Sequence, residues 1–308
     1  MHAAIALLSK APSLSLRLPF PVLVGAFCLL WASAFSVAKI AVTDCPPLLV
    51  LTARFLLAAA FVFAAAPALG LPLKLPRRDA LIFALLGFAN QAVYLGLSYL
   101  GIRSVSSGLA ALIISSNPIL TALLAAVFLN EAMTWRKAAG LLLGLGGVAL
   151  VVEGRLAGGG ESPVGVALMV AALVSLVCGT ILFKKLAPSG EFWVGNGVQS
   201  LSAGLATLPF ALSFESMGDI VPAWSLILSL AYLAVFVSAF AYVLWFHLLT
   251  VSGATSASSY HFMMPPLGLV FGWVLLGERV TALDLAGIVP VAFGIYLVTH
   301  ASASRHKR

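Results

Sequence analysis

Residues 118–151 read PILTALLAAVFLNEAMTWRKAAGLLLGLGGVALV, and residues 265–298, 147 positions later, read PPLGLVFGWVLLGERVTALDLAGIVPVAFGIYLV. In that register Pro118 falls on Pro265, Leu120 on Leu267, Val127 on Val274, Leu129 on Leu276, Glu131 on Glu278 and Thr134 on Thr281. Ala139, Gly140, Gly147, Leu150 and Val151 meet Ala286, Gly287, Gly294, Leu297 and Val298, so that 11 of 34 positions are identical. Scattered Leu and Val matches follow from composition alone. A Pro, a Glu, a Thr and two Gly held in one register mark a duplicated unit. Duplicated membrane units are a signature of transporters, whose pathway runs between the halves.

Working outward, the whole 308-residue chain is apolar: 62% hydrophobic, 9% charged, mean hydropathy +1.10. Soluble globules carry about 25% charge, so this is an all-α polytopic membrane protein. A helix needs roughly 20 apolar residues to cross the hydrocarbon core. Runs between charged or Gly/Pro breaks give ten candidate spans: 22–42, 47–66, 80–100, 107–129, 137–153, 164–186, 191–213, 223–247, 254–276 and 284–301. Five fall in each half. The expected organisation is a leader over 1–19, a first repeat over 20–153, a glycine-rich linker over 154–163, a second repeat over 164–301 and a basic tail over 302–308.

The net charge of +7 does not make a nucleic-acid surface, because the basic residues alternate between loops on two sides. One side collects twelve Lys and Arg, among them Lys74, Arg77, Arg78, Arg136, Lys184 and Lys185. The other has Arg103, Arg155, Arg279 and the helix-end Lys39. Positive charge stays in the cytoplasm, so both termini are expected inside. With five spans per half, the second half then inserts upside down relative to the first, giving ten transmembrane helices as two inverted repeats. The stretch Met1–Pro19 shows no basic residue ahead of its short apolar run and reads as a cytoplasmic leader rather than a signal peptide. Cys28, Cys45 and Cys178 are scattered, without disulfide or metal spacing, so no metal and no cofactor are expected.

Pro118 and Pro265 sit mid-span, where a proline removes a backbone donor and crowds the carbonyl four residues back. That frees the carbonyl of Ile114 and, with Pro266, those of His261 and Phe262. One such proline reads as a kink. Two at matched positions read as paired helix breaks facing a polar cavity. Gln91, Tyr94 and Ser98 form one polar face of the third span, with Asn90 beside it, and the same register in the eighth gives Ser238, Tyr242 and Trp245. Trp31, Ser115, Asn117, Tyr260, His261, Met263 and Met264 complete the candidate lining. Interhelical hydrogen bonding remains the alternative reading for any one of them. Arg54, two turns into the second span, reads as an interhelical tie or a snorkelling side chain rather than a substrate contact. Gly140, Gly144, Gly268 and Gly272 let helices approach closely, within one chain or between two copies, so monomer and homodimer both stay open.

No Asp or Glu lies at mid-membrane depth, which disfavours a carboxylate proton relay and the carriage of cationic drugs. No catalytic signature is present either, so an enzyme is not expected. Trp31-Ala-Ser-Ala-Phe-Ser-Val-Ala-Lys39, Arg54, Asn117-Pro118, Glu131, Thr134, Gly140 and Gly147, repeated in part over 265–298, resemble the EamA type of the drug/metabolite transporter superfamily. Within it the chain resembles the bacterial YddG-type amino-acid exporters. The resemblance implies a bacterial inner-membrane secondary transporter that exports aromatic and other neutral amino acids by alternating access. Export of another small metabolite or drug on the same fold is the alternative, and a non-transporting membrane interaction protein the second. The expected partners are a small-molecule substrate and the lipid bilayer.

Overall fold

The computed structural model describes residues 19–129, 133–188 and 191–303; Glu131 and most of the expected leader and basic tail lie outside the described residues. The described chain is helical: α1 (Phe20–Asp44), α2 (Pro47–Ala68), α3 (Arg77–Ile102), α4 (Ser107–Phe128), α5 (Trp135–Ala157), α6 (Pro163–Leu186), α7 (Phe192–Phe214), α8 (Trp224–Ala254), α9 (Met264–Leu276) and α10 (Ala282–Ala303). Six of these, α1, α2, α3, α4, α6 and α8, are long and apolar enough to cross a bilayer. The apolar stretches of α5, α9 and α10 are shorter, and α7 carries Asn196, Gln199 and Ser200, all fully buried, on its inner face. Outward, Leu142, Leu228 and Val289 are exposed, as a lipid-facing surface requires.

Helix ends follow local chemistry. Pro47 and Pro163 open α2 and α6, where a missing N–H costs nothing. Ser162 caps α6 by accepting from the Gly165 amide, and Ser106 caps α4 by accepting from the Leu109 amide at 3.3 Å. Between the halves α5 runs on to Ala157 and the chain turns at Gly159, with φ of 70°.

Direct contacts fix the chain directions. Near the end of α1, Lys39 Nζ donates to the Val105 carbonyl at 2.6 Å, and Ser162, at the start of α6, donates its amide to the Ser104 carbonyl at 3.0 Å. At the opposite end Arg78 Nη2 donates to the Leu186 carbonyl at 2.7 Å. Therefore α1 and α6 run in opposite directions. The packing is reciprocal as well. The α1–α9 contact has its counterpart in α6–α4, and α3–α6 has its counterpart in α8–α1, while α2–α7 and α5–α10 pair equivalent helices. The α5–α10 pair packs closely: a Cβ on Gly294 would lie 2.4 Å from the Gly140 carbonyl oxygen and 2.8 Å from the Gly144 nitrogen. These glycines serve packing within the chain.

Both α3 and α8 loosen in the middle into π-helical turns, Gly87–Val93 and Leu233–Ala241, which coincide when the 147-residue offset is applied. Both proline sites break the helix. In α4 the break is a turn at Ser115–Ser116 between Ser107–Ile114 and Asn117–Phe128. In the second half the expected span over 254–276 is not one helix: Gly253, with φ of 79°, kinks the chain near the end of α8, and a 3-10 turn, Tyr260–Met263, precedes α9. Prolines 265 and 266 account for the division, since each withholds the N–H that an α-helix would send four residues back.

Candidate functional site

The two halves enclose a narrow cavity of about 30 Å3, walled by Trp31, Arg54, Tyr94, Leu95 and Tyr99 from the first half and Val237 and Tyr242 from the second. Leu95 and Tyr242 occupy equivalent positions in the repeat. The space holds about two waters. One end of the bundle is latched above it. The Glu278 carboxylate accepts from the Ser107 amide at 2.8 Å, the Ser107 hydroxyl at 2.9 Å and the Gly108 amide at 3.2 Å. Lys39 Nζ lies 3.6 Å from the same carboxylate. An anion seated at a helix N-terminus with a cation beside it joins α1, α4 and the loop after α9.

On its other side the cavity is floored by aromatic rings. Trp31 packs 5.1 Å from Phe27 and 5.1 Å from Tyr242, while Trp245 stacks on Phe27 at 5.5 Å. The His261 ring meets Trp31 edge-on at 5.6 Å and Trp245 at 5.0 Å. Centroid separations of this size are favourable edge and offset geometries. His261 is fully buried, and neither ring nitrogen makes a hydrogen bond of good geometry.

Arg54 does not snorkel; it is 2% exposed. Its Nε donates to the Ser238 hydroxyl at 2.8 Å and its Nη1 to the Tyr99 hydroxyl at 2.9 Å, and the guanidinium carbon sits 5.9 Å from the Tyr99 ring centre. The interhelical tie expected for Arg54 is present, and the side chain also lines the cavity.

The π-turns leave carbonyls that side chains answer. Asn196 Nδ2 donates to the carbonyls of Ser238 at 2.6 Å and Ala239 at 3.2 Å, and the Tyr242 hydroxyl donates to the Asn90 carbonyl at 3.3 Å. Unpaired backbone groups at this depth cost several kcal/mol, so the polar side chains belong here. Gln91 Nε2 reaches Asn196 Oδ1 at 3.4 Å. Asn90 Oδ1, Gln91 Oε1 and both amide atoms of Gln199 are buried without a partner. Asn196, which joins this network, and the buried Gln199 and Ser200 on the same helix were not anticipated. Their three- and four-residue spacing on an apolar helix was the available signal.

The residues around the proline breaks are gathered elsewhere. Ile114, Ser115 and Asn117 are fully buried but do not line the cavity. The Ser115 hydroxyl donates back to the Leu112 carbonyl at 2.5 Å, and the Thr121 hydroxyl donates to Asn117 Oδ1 at 2.8 Å. Pro118 and Pro265 are buried and Pro266 is exposed. Met264 is fully buried, whereas Met263 is half exposed and does not face the interior. The 3-10 turn explains the difference, because three residues per turn rotate this segment off the α-helical face. Tyr260 is part-buried; its carbonyl accepts from the Cys28 thiol at 3.3 Å, and its hydroxyl pairs with Ser252 at 3.2 Å. The side chain of Phe262 lies outside the described residues.

Comparison with known proteins agrees with the helical architecture. The EamA-like transporter family model matches twice, over residues 21–153 and 163–300. A protein of Salmonella typhimurium named a probable amino-acid metabolite efflux pump is 31% identical over 277 residues, covering 87% of this chain and 90% of that protein. An uncharacterized transporter of Archaeoglobus fulgidus is 30% identical over 272 residues, covering 87% and 94%. A solved crystal structure aligns over 92% of this chain and 97% of its own, with a TM-score of 0.66 at 19% identity, a likeness of fold alone. The two family matches and the similarity to transporters over nearly the whole length place this chain in the EamA-like transporter family.

Proposed function

We propose that the protein exports aromatic and other neutral amino acids by alternating access, through the cavity between its two halves. The observation that carries this reading is the aromatic enclosure of Trp31, Tyr94 and Tyr242, contributed by both halves, in a chain similar to proteins named amino-acid metabolite efflux pumps. The aromatic walls suit a substrate with a flat apolar side chain. Ten spans arranged as two inverted five-helix repeats are supported by the opposed directions of α1 and α6 and by the reciprocal packing. The excess of Lys and Arg at the loops holding Lys74, Arg77 and Lys185 supports cytoplasmic termini in a bacterial inner membrane.

In this arrangement the Glu278 latch closes the outer end and the aromatic floor closes the inner one. Substrate enters when the halves part on the cytoplasmic side, and it leaves when the latch opens. Hydrogen-bonded contacts at one end exchange for contacts at the other, as rocking bundles do. The proline-break residues Ile114, Ser115, Asn117, His261 and Phe262 would serve as hinge and, once the halves part, as receivers for the substrate ammonium. Asn90 and Gln91 would extend the polar end of the path.

Flux of labelled phenylalanine, threonine and a cationic dye in proteoliposomes tests this reading. Saturable phenylalanine and threonine transport without dye movement supports it. Dye transport without amino-acid flux overturns it.

A further inference from the structure

Among the described residues Arg54 is a buried cation whose hydrogen-bond partners are neutral hydroxyls. Ser238 and Tyr99 take two of its donors, and a guanidinium carries five. Among the described residues the ion pairs Lys39–Glu278 and Arg78–Asp79 both lie toward the ends of the bundle. The carboxylates of Asp44, Glu161, Glu215 and Glu278 are likewise committed at the loops, to the Ser225 hydroxyl and to the helix starts at Ser106, Leu48–Leu49 and Ser107. Burying an unpaired charge is costly unless an opposite charge or strong hydrogen bonds compensate. Here the charged side chain lines a cavity that Trp31, Tyr94 and Tyr242 line as well.

We propose that Arg54 is the receptor for a substrate carboxylate, so that the site requires a carboxylate on the solute and favours a flat apolar remainder. A planar carboxylate matches the guanidinium fork in a two-point pairing that a bulkier or neutral group cannot reproduce. The Tyr99 hydroxyl accepts from Nη1 and retains its own proton, which it can donate to the incoming carboxylate. The remainder of the solute then lies against Trp31, Tyr94 and Tyr242. This assignment rests on the reading of the cavity as the transport site, but it does not require an amino group. A purely structural Arg54, tying α2 to α3 and α8, would be indifferent to the charge of the solute.

Ligand-induced thermal stabilisation of the purified full-length protein tests the assignment without requiring transport. The probes are phenylalanine, 3-phenylpropionate, phenylalaninamide and phenethylamine. The expected result is stabilisation by the two carboxylates at concentrations about 10- to 100-fold lower than by the two amines, the range of a charge-assisted hydrogen bond. Arg54→Lys should keep the preference in weakened form, and Arg54→Gln, checked for an unchanged elution profile, should abolish it. Equal stabilisation by phenylalanine and phenylalaninamide, or by neither carboxylate, overturns the assignment whether or not the variants fold. Stabilisation by 3-phenylpropionate in a protein that moves no amino acid would retain the carboxylate receptor and refute the amino-acid reading. Transport of phenylalanine and its amide at equal rates would do the reverse.

Discussion

Glu278, on the loop after α9, accepts the amide hydrogen of Ser107, the first residue of α4, at 2.8 Å, and so fastens the second half of the chain onto the first. Hydrogen bonds to a charged group contribute about 1.5–3 kcal/mol each. Removing the charge weakens the latch without changing its shape. Glu278→Gln is expected to raise the population open at this end by about tenfold, which corresponds to 1.4 kcal/mol. The labelling rate of a cysteine at Ser98, in a background lacking Cys28, Cys45 and Cys178, reports it. An unchanged rate would mean that the contact is not a gate.

Gly294 has no room for a side chain against α5, since its Cβ would meet the backbone of Gly140 and Gly144 rather than a movable side chain. Gly294→Ala should lower stability by about 1–3 kcal/mol, the usual cost of overpacking. Gly25→Ala in α1, where nothing lies within 4 Å, is the matched control and should leave the melting temperature unchanged. Equal effects at the two positions would refute the close approach of α5 and α10.

Trp31 is 4% exposed and contacts Phe27, Tyr242, Trp245 and His261. Trp31→Ala should cost about 3–5 kcal/mol on unfolding and leave a leaky, poorly selective path. Trp31→Phe should retain most of the stability. Denaturation in detergent, paired with phenylalanine flux, separates packing from selectivity.

Cys45 lies in the loop between α1 and α2, where burial first, then the Glu215 and Asp44 carboxylates, push its thiol up from 9.0 to about 11. The thiolate is the reactive form, so Cys45 should react more slowly than an ordinary cysteine at pH 8, and its rate should keep rising past pH 9. The linked effect on stability has a definite sign. Between pH 9 and 11 the unfolded chain loses this proton more readily than the folded one, so the contribution of Cys45 to stability falls as pH rises through that window. Maleimide labelling across pH measures the rate. A plateau near pH 9 would contradict the shift.

Much of the architecture was readable from two properties that act locally. Apolar run length marked where helices fall, and the 147-residue register placed Pro118 and Pro265 at breaks that the structure contains. What escaped sequence reading depends on hydrogen-bond topology and distant partners. A π-turn has no side-chain signature, so the paired loosening of α3 and α8 was not visible. Arg54 and Ser238 are 184 residues apart, and nothing near Arg54 in the chain names its acceptor. Met263 was grouped with the lining because it precedes Pro265, but the segment turns as a 3-10 helix and leaves it half exposed. Asn196 and Gln199 were legible in principle, but they fall on the helix whose apolarity they themselves reduce.

The central claim is that the two halves rock so that one end opens as the other closes. Spin-label distances measured in the same membrane, between positions 103 and 279 at the latched end and between positions 74 and 185 at the other, test it most directly. On adding phenylalanine, one distance distribution should lengthen while the other shortens. Distances that stay fixed, or that change in the same direction at both ends, would contradict the account.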